Sequence, residues 1–139
     1  MLQYADVSGY LTTALEALQY DPLPYFDPGP ASDAVIQDLS PNMMVIVTVG
    51  GGSGLDSEEL FDRPGIQIRA IGPQTDYAGA EQLAQDIDRA LVALDSSQSI
   101  NGKWTLSVVR SGGSPSLLLK DDGERYHFTC NYIWEVEYQ

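Results

Sequence analysis

The sequence predicts one α+β domain over residues 1–139, with a mixed, largely antiparallel β-sheet of about five strands and two main helices packed on one face. In two segments the apolar residues recur at the spacing of one helix face. In the remaining segments apolar residues alternate with polar ones or form a continuous run, as they do in strands. The order is helix, strand, strand, helix and then a run of strands. Such a run, separate from the helices, is typical of an α+β domain.

The first helix is predicted over residues 7–18, with Asp6 as its N-cap. Its apolar stripe consists of Val7, Leu11, Ala14, Leu15 and Leu18. Four prolines between residues 21 and 30 exclude a helix there. That segment is therefore expected to be an extended connection, anchored on the core by Tyr25 and Phe26.

Two strands are predicted next. Residues 43–49 form a continuous apolar run, typical of a strand covered on both faces, and the glycine cluster at residues 50–54 ends it. After the acidic segment 55–62, the second strand covers residues 66–71. Its alternation places Ile66, Ile68 and Ala70 on one face.

The longest helix is predicted to begin at Asp76 and to end near Leu94. Its apolar stripe is Tyr77, Ala80, Leu83, Ala84, Ile87, Leu91 and Leu94. The polar side chains of this helix are expected on the exposed side; they are Gln82, Gln85, Asp86, Asp88 and Arg89. A loop is predicted over residues 95–102.

Three strands complete the domain, over residues 103–110, 116–120 and 124–137. A turn at residues 121–123 predicts that the last two form a hairpin. The last strand places these residues on one face: Tyr126, Phe128, Cys130, Tyr132, Trp134 and Val136. The opposite face carries His127, Thr129, Asn131, Ile133 and Glu135.

The charge balance disfavours whole classes of partner. The chain has 20 acidic and 7 basic residues, a net charge of -13 and a pI near 4.1. Nucleic-acid phosphates are bound largely by Lys and Arg, and anionic membranes would repel such a chain. The single cysteine, Cys130, excludes an internal disulfide, and no targeting segment is visible. These features predict a protein folded in a reducing cytoplasm, neither secreted nor membrane-spanning.

The sequence predicts no catalytic, cofactor or metal residue. The glycine cluster lacks the lysine of a phosphate-binding loop, because no lysine precedes Lys103. His127 is the only histidine and is expected to be exposed or at an interface, whereas Cys130 is expected to be a small buried residue. Their separation of three places them on opposite faces of one strand. These tests argue against an enzyme.

Three motifs together resemble the minor capsid or tail terminator proteins of long-tailed bacteriophages. They are Phe61–Arg69 (FDRPGIQIR), Tyr77–Ala84 (YAGAEQLA) and Asp121–Phe128 (DDGERYHF), in this order. The stretch Asp27–Asp33 (DPGPASD) is similar too, although the family's usual Met-Pro is missing.

The resemblance implies a structural virion protein. It implies a ring, expected to be hexameric, on the head-proximal end of the tail tube, which stops tube polymerisation and offers the head a docking surface. Expected partners are other copies of the chain, the major tail tube protein and the head–tail connector proteins. DNA would pass without specific binding, no cofactor or membrane is implied, and assembly would occur in the host bacterial cytoplasm. A neck connector, an acidic DNA mimic and, last, a small enzyme are the alternatives.

Two sets of residues are predicted to act in assembly. The ring or tube interface is expected to use Leu60, Phe61, Arg63 and Arg69, because arginines can pair bidentately with carboxylates of a neighbour. An assembly loop is expected over residues 50–62, mobile in the free subunit and ordered by partners. Its predicted members are Gly50, Gly51, Gly52, Gly54, Asp56, Glu58 and Glu59. A plain solvent loop is the alternative.

Overall fold

A computed structural model of the protein describes residues 2–29, 42–52, 61–94 and 98–137. Within these ranges the helices are α1 (Tyr4–Ala17) and α2 (Tyr77–Val92). The strands are β1 (Tyr25–Asp27), β2 (Met44–Gly52), β3 (Phe61–Asp62), β4 (Pro64–Ile71), β5 (Gln98–Ile100), β6 (Lys103–Arg110), β7 (Ser116–Lys120) and β8 (Tyr126–Glu137).

One mixed sheet contains all these strands, in the order β1-β2-β4-β8-β6-β5. β3 and β7 also pair with β8, and only β1 and β2 are parallel among the described pairs. The α+β class is therefore confirmed, although the strand number of about five was low. The unpredicted strands β1, β3 and β5 have two or three residues each, too few to show a period-2 pattern.

The main core lies between the two helices and one face of the sheet. α1 contributes Leu11 and Leu15, and α2 contributes most of its predicted stripe. The alternation predicted for β8 is also confirmed, because Trp134 and its alternate neighbours are buried in this core. Fully burying one such large apolar side chain stabilises the fold by about 1.5–3 kcal/mol. The helix-covered face is called the inner face below.

The opposite, outer face is buried only at one end. β2 directs Met44 and Ile46 outward, where they form a small cluster with Ile71 of β4. Further along the same strand Thr48 is exposed. β2 is therefore covered on both faces over its first half, as its apolar run predicts, and is open on the outer face beyond.

The predicted start of α1 was wrong. The helix begins at Tyr4 with Gln3 as its N-cap, and Asp6 is the third helical residue of a capping box, accepting from the Gln3 backbone N–H at 2.7 Å. At the other end Leu18 lies just past the helix and is 54% exposed, so it does not belong to the buried stripe.

Other boundaries shift for local reasons. β2 runs through Gly50, Gly51 and Gly52 instead of ending before them, and β5 occupies part of the loop predicted over residues 95–102. Phe26 packs on the core as expected, but Tyr25 is exposed. These differences follow from strand pairing with distant partners, which outweighs local glycine and serine content.

α2 begins as predicted. The Asp76 carboxylate accepts from the Gly79 backbone N–H at 2.8 Å, so Asp76 is the N-cap. Tyr77 is half exposed and packs edge-on against Tyr126 and Phe128, with ring centroids 5.1 and 5.3 Å away. These contacts fix the start of α2 over the first part of β8.

Candidate assembly surface

The outer face presents a row of uncharged polar side chains. Thr48, Gln67 and Asn131 are exposed and lie side by side in the register of β2, β4 and β8. Next to them Gly50 and Gly65 face each other without side chains, which leaves a shallow groove of about 340 Å³. None of the residues that line the groove is charged. In a chain with a net charge of -13, such a surface can approach another acidic protein without strong repulsion.

The predicted interface arginines lie on and beside this face. The Arg63 Nε donates to the Glu135 carboxylate at 2.7 Å, and the Arg63 side chain is 40% exposed. Arg69 is half-buried on the outer face, between Ile46 of β2 and Thr129 of β8. A carboxylate from a neighbour would therefore compete with Glu135 for Arg63.

The other predicted assembly residues are partly outside the described residues. Phe61 belongs to β3 and pairs with Glu137 of β8. Gly50, Gly51 and Gly52 lie in β2, where Gly52 pairs with Pro64 after a register shift. Beyond the described residues lie Gly54, Asp56, Glu58, Glu59 and Leu60. The structure thus places Phe61 in β3, Arg69 in β4 and Arg63 at the junction between these two strands.

A buried polar network, missed at the sequence level, joins α2 to the sheet. The Asp88 carboxylate accepts from Arg110 Nε at 2.9 Å, from Arg110 Nη2 and from the Tyr132 hydroxyl at 2.8 Å. The hydrogen bond from Arg110 lowers the pKa of Asp88 despite burial, whereas burial raises the pKa of Tyr132. Asp88 follows Ala84 by four residues and precedes Leu91 by three, so helical spacing alone places it beside the stripe.

Asp86 is also buried, contrary to prediction. Its carboxylate accepts from the Tyr20 hydroxyl at 2.5 Å and from the Gln82 amide at 2.9 Å. Burial, together with the hydrogen bond to Asp86, raises the pKa of Tyr20. α2 therefore does not present Asp86 and Asp88 as exposed acids, and the row of acids that a DNA mimic requires is absent from this helix.

A third carboxylate, Asp6, ties α1 to the turn before β6. It accepts from Lys103 Nζ at 2.7 Å and from the Asn101 amide at 3.0 Å. Burial opposes its ionisation, but the hydrogen bonds from Lys103, Asn101 and the Gln3 backbone outweigh burial and lower its pKa.

The prediction for His127 was wrong. The ring is buried, and its Nε2 lies 2.7 Å from the Asp121 carboxylate in the β7–β8 turn. Burial opposes ionisation of Asp121, yet the His127 bond and backbone N–H groups lower its pKa. Cys130 is buried, as predicted. Among the residues that the structure describes, no three His, Cys, Asp or Glu side chains are placed to hold a metal ion.

The chain matches a known protein family. The model of a family described as "Bacteriophage tail terminator protein" matches residues 30–138. The chain belongs to this family. It is therefore a structural protein of the bacteriophage virion, as its three motifs predict, and not a member of an enzyme class. No curated protein sequence matches the chain. Neither described helix is long and apolar enough to cross a membrane.

The fold of this family member also occurs in a solved virion. A chain of the structure described as "Virion of native gene transfer agent (GTA) particle" is similar to it, with a TM-score of 0.57 and 16% identity. The similarity covers 98% of this chain and 100% of that chain. At this identity the likeness shows the fold, and the family assignment depends on the matched residues 30–138.

Proposed function

We propose that the protein forms a hexameric ring on the head-proximal end of the tail tube, where it ends tube polymerisation and provides the surface onto which the head docks. The observation that carries this proposal is the family match over residues 30–138. The one-sided fold supports it, because the helices cover the inner face and leave an uncharged groove on the outer face. An uncharged surface of this kind suits packing against another protein.

The proposed partners are other copies of the chain, the major tail tube protein and the head–tail connector proteins. DNA is proposed to pass through the ring without specific binding. Four basic side chains already lie within 2.8 Å of a carboxylate of the same chain, which leaves little positive charge for phosphates. These side chains are Arg63, Lys103, Arg110 and Lys120.

The segment between β2 and β3 is proposed as the assembly loop on its composition. Its three acidic residues, Asp56, Glu58 and Glu59, resist burial in an apolar core, whereas Leu60 and the adjoining Phe61 of β3 offer apolar anchors for a neighbour. We expect the amides of residues 55–62 to exchange more slowly with solvent in the assembled ring than in the free subunit. Equal exchange rates in the ring and in the free subunit would instead indicate a plain solvent loop.

A tube-growth assay tests the proposal. Purified tail tube protein is allowed to polymerise, and tube lengths are measured by negative-stain microscopy with and without this protein. We expect shorter tubes, each with a ring at one end. An unrelated acidic protein of similar size and charge is the control. Unchanged tube lengths and bare tube ends would refute the proposed function.

A further inference from the structure

We propose that β7 is the strand through which one copy of the chain contacts the next copy in the ring. This inference rests on the proposed function, since it names the partner that the ring requires. β7 forms a hairpin with the first part of β8, whereas β6 pairs with a later part of β8. The contact is proposed to join β7 of one copy to the outer face of its neighbour.

Three apolar side chains of β7 are unusually exposed to solvent. All five residues of the strand are exposed, and Leu117, Leu118 and Leu119 are 46%, 44% and 41% exposed. A run of three exposed apolar residues costs solubility and is rarely present without a binding role. The leucines are therefore the anchors that the proposed contact would bury.

β7 also has a free edge. Within the described part of the chain, β7 pairs with β8 alone, so the backbone groups along its other edge are unpaired by the sheet. The register shift between Leu117 and Leu119 breaks the ladder, which disfavours long strand addition across this edge. The contact is therefore expected to depend on the leucine side chains more than on backbone pairing.

Charge identifies the occupant as a second copy. Residues 111–119 carry no charge, whereas the whole chain has a net charge of -13. Two copies repel each other wherever their acidic surfaces meet, so an uncharged surface favours a contact between copies. A cationic partner would instead be drawn to the acidic surfaces. The uncharged segment 111–119, which includes the three leucines of β7, thus fits another copy of this chain.

The outer face offers the matching surface. Its groove has no charged lining residue, and Val109 beside it is 52% exposed. A closed ring needs two different patches that meet at each interface, and β7 and the outer face are two different patches. Three half-exposed leucines supply much less than the roughly 800 Å² per partner of a stable interface. The groove and its surroundings must therefore supply the rest of the contact.

The test compares two variants of the full chain. Leu118→Glu places a charge in the proposed contact, and Leu18→Glu is the matched control, since Leu18 is an exposed leucine outside β7 and the outer face. Circular dichroism and Tm check that both fold. Sedimentation velocity, with and without tail tube protein, measures assembly. We expect Leu118→Glu to weaken ring formation at least about tenfold, because burying an unpaired charge is costly, and Leu18→Glu to assemble like the wild type.

A photo-crosslinking amino acid at position 118 identifies the occupant. A covalent adduct between two copies supports the inference; an adduct with the tube protein, or none in an assembled ring, overturns it. Three further results overturn it. Leu118→Glu could assemble like the wild type, or both variants could lose assembly equally. The wild-type chain could also stay monomeric with the tube protein present. Rings that fail to stop tube growth would refute the proposed function alone. If the wild-type protein caps tubes and the Leu118→Glu variant caps them equally well, this inference alone is refuted.

Discussion

The Asp88 network offers a quantitative test of how α2 is held on the sheet. Asp88→Ala removes the acceptor of the buried Tyr132 hydroxyl and of two Arg110 donors. A buried hydroxyl left without an acceptor costs about 1–3 kcal/mol. The Arg110 side chain is 40% exposed and can be hydrated again. We therefore expect Asp88→Ala to lower the free energy of unfolding by about 2 kcal/mol, most of it from Tyr132.

A double-mutant cycle isolates that contribution. Tyr132→Phe alone removes one hydrogen bond and should cost about 1 kcal/mol, because Asp88 keeps its two bonds to Arg110. In the Asp88→Ala background the same change removes an unsatisfied hydroxyl, so it should cost nothing or stabilise the protein. Urea unfolding followed by tryptophan fluorescence measures all four proteins. Asp122→Ala, at an exposed carboxylate in the β7–β8 turn, is the control and should change stability by less than about 0.5 kcal/mol.

Two results would refute this reasoning. An equal cost of Tyr132→Phe in both backgrounds would mean that Asp88 and Tyr132 are energetically independent. A cost of Asp88→Ala no larger than that of Asp122→Ala would mean that the buried network contributes nothing to stability.

Three further predictions concern acid, packing and DNA. Three aspartates have folded pKa values below the unfolded value of about 3.9, so the stability they contribute is present above that pH and is lost as the pH falls through the folded pKa values. The Tm of the protein should therefore fall steeply below pH 4. A Tm that does not change with pH in this range would contradict the prediction. The three aspartates are Asp6, Asp88 and Asp121. Gly72→Ala places a Cβ 2.6 Å from the Cβ of Ala80 on α2 and should destabilise by about 1–3 kcal/mol in urea unfolding, whereas Gly113→Ala meets nothing within 4 Å and should not. Duplex DNA should show no gel shift above roughly 0.15 M salt, and a persistent shift would contradict the proposed passive passage of DNA.

The sequence predicts well what local periodicity determines. The buried stripe of α2, the alternation of β8 and the β7–β8 hairpin depend on residues within one element, so their spacing reports burial directly. The sequence predicts Asp88 and His127 outside the core, because a charged or polar side chain without a visible partner is expected in solvent. Those partners, Arg110 and Asp121, come from other elements and become visible only when the chain folds.

The same limit applies to the candidate site. The sequence identifies Arg63 as a cation available to a neighbour, but Glu135, 72 residues further on, binds it within the chain. The row of Thr48, Gln67 and Asn131 exists only through the pairing of three strands. Neither feature has a signature in the neighbouring residues, so no local pattern could reveal it.

The central position of β8 has a consequence for how the chain folds during synthesis. β8 is the last described element, yet it is the strand that joins β4 on one side to β6 on the other. Until the ribosome has made β8, the sheet exists as two separate pieces, each with an unpaired edge open to wrong neighbours. The many contacts between distant residues also favour slow folding. The interval between the synthesis of β4 and that of β8 is therefore when these edges are most exposed to aggregation.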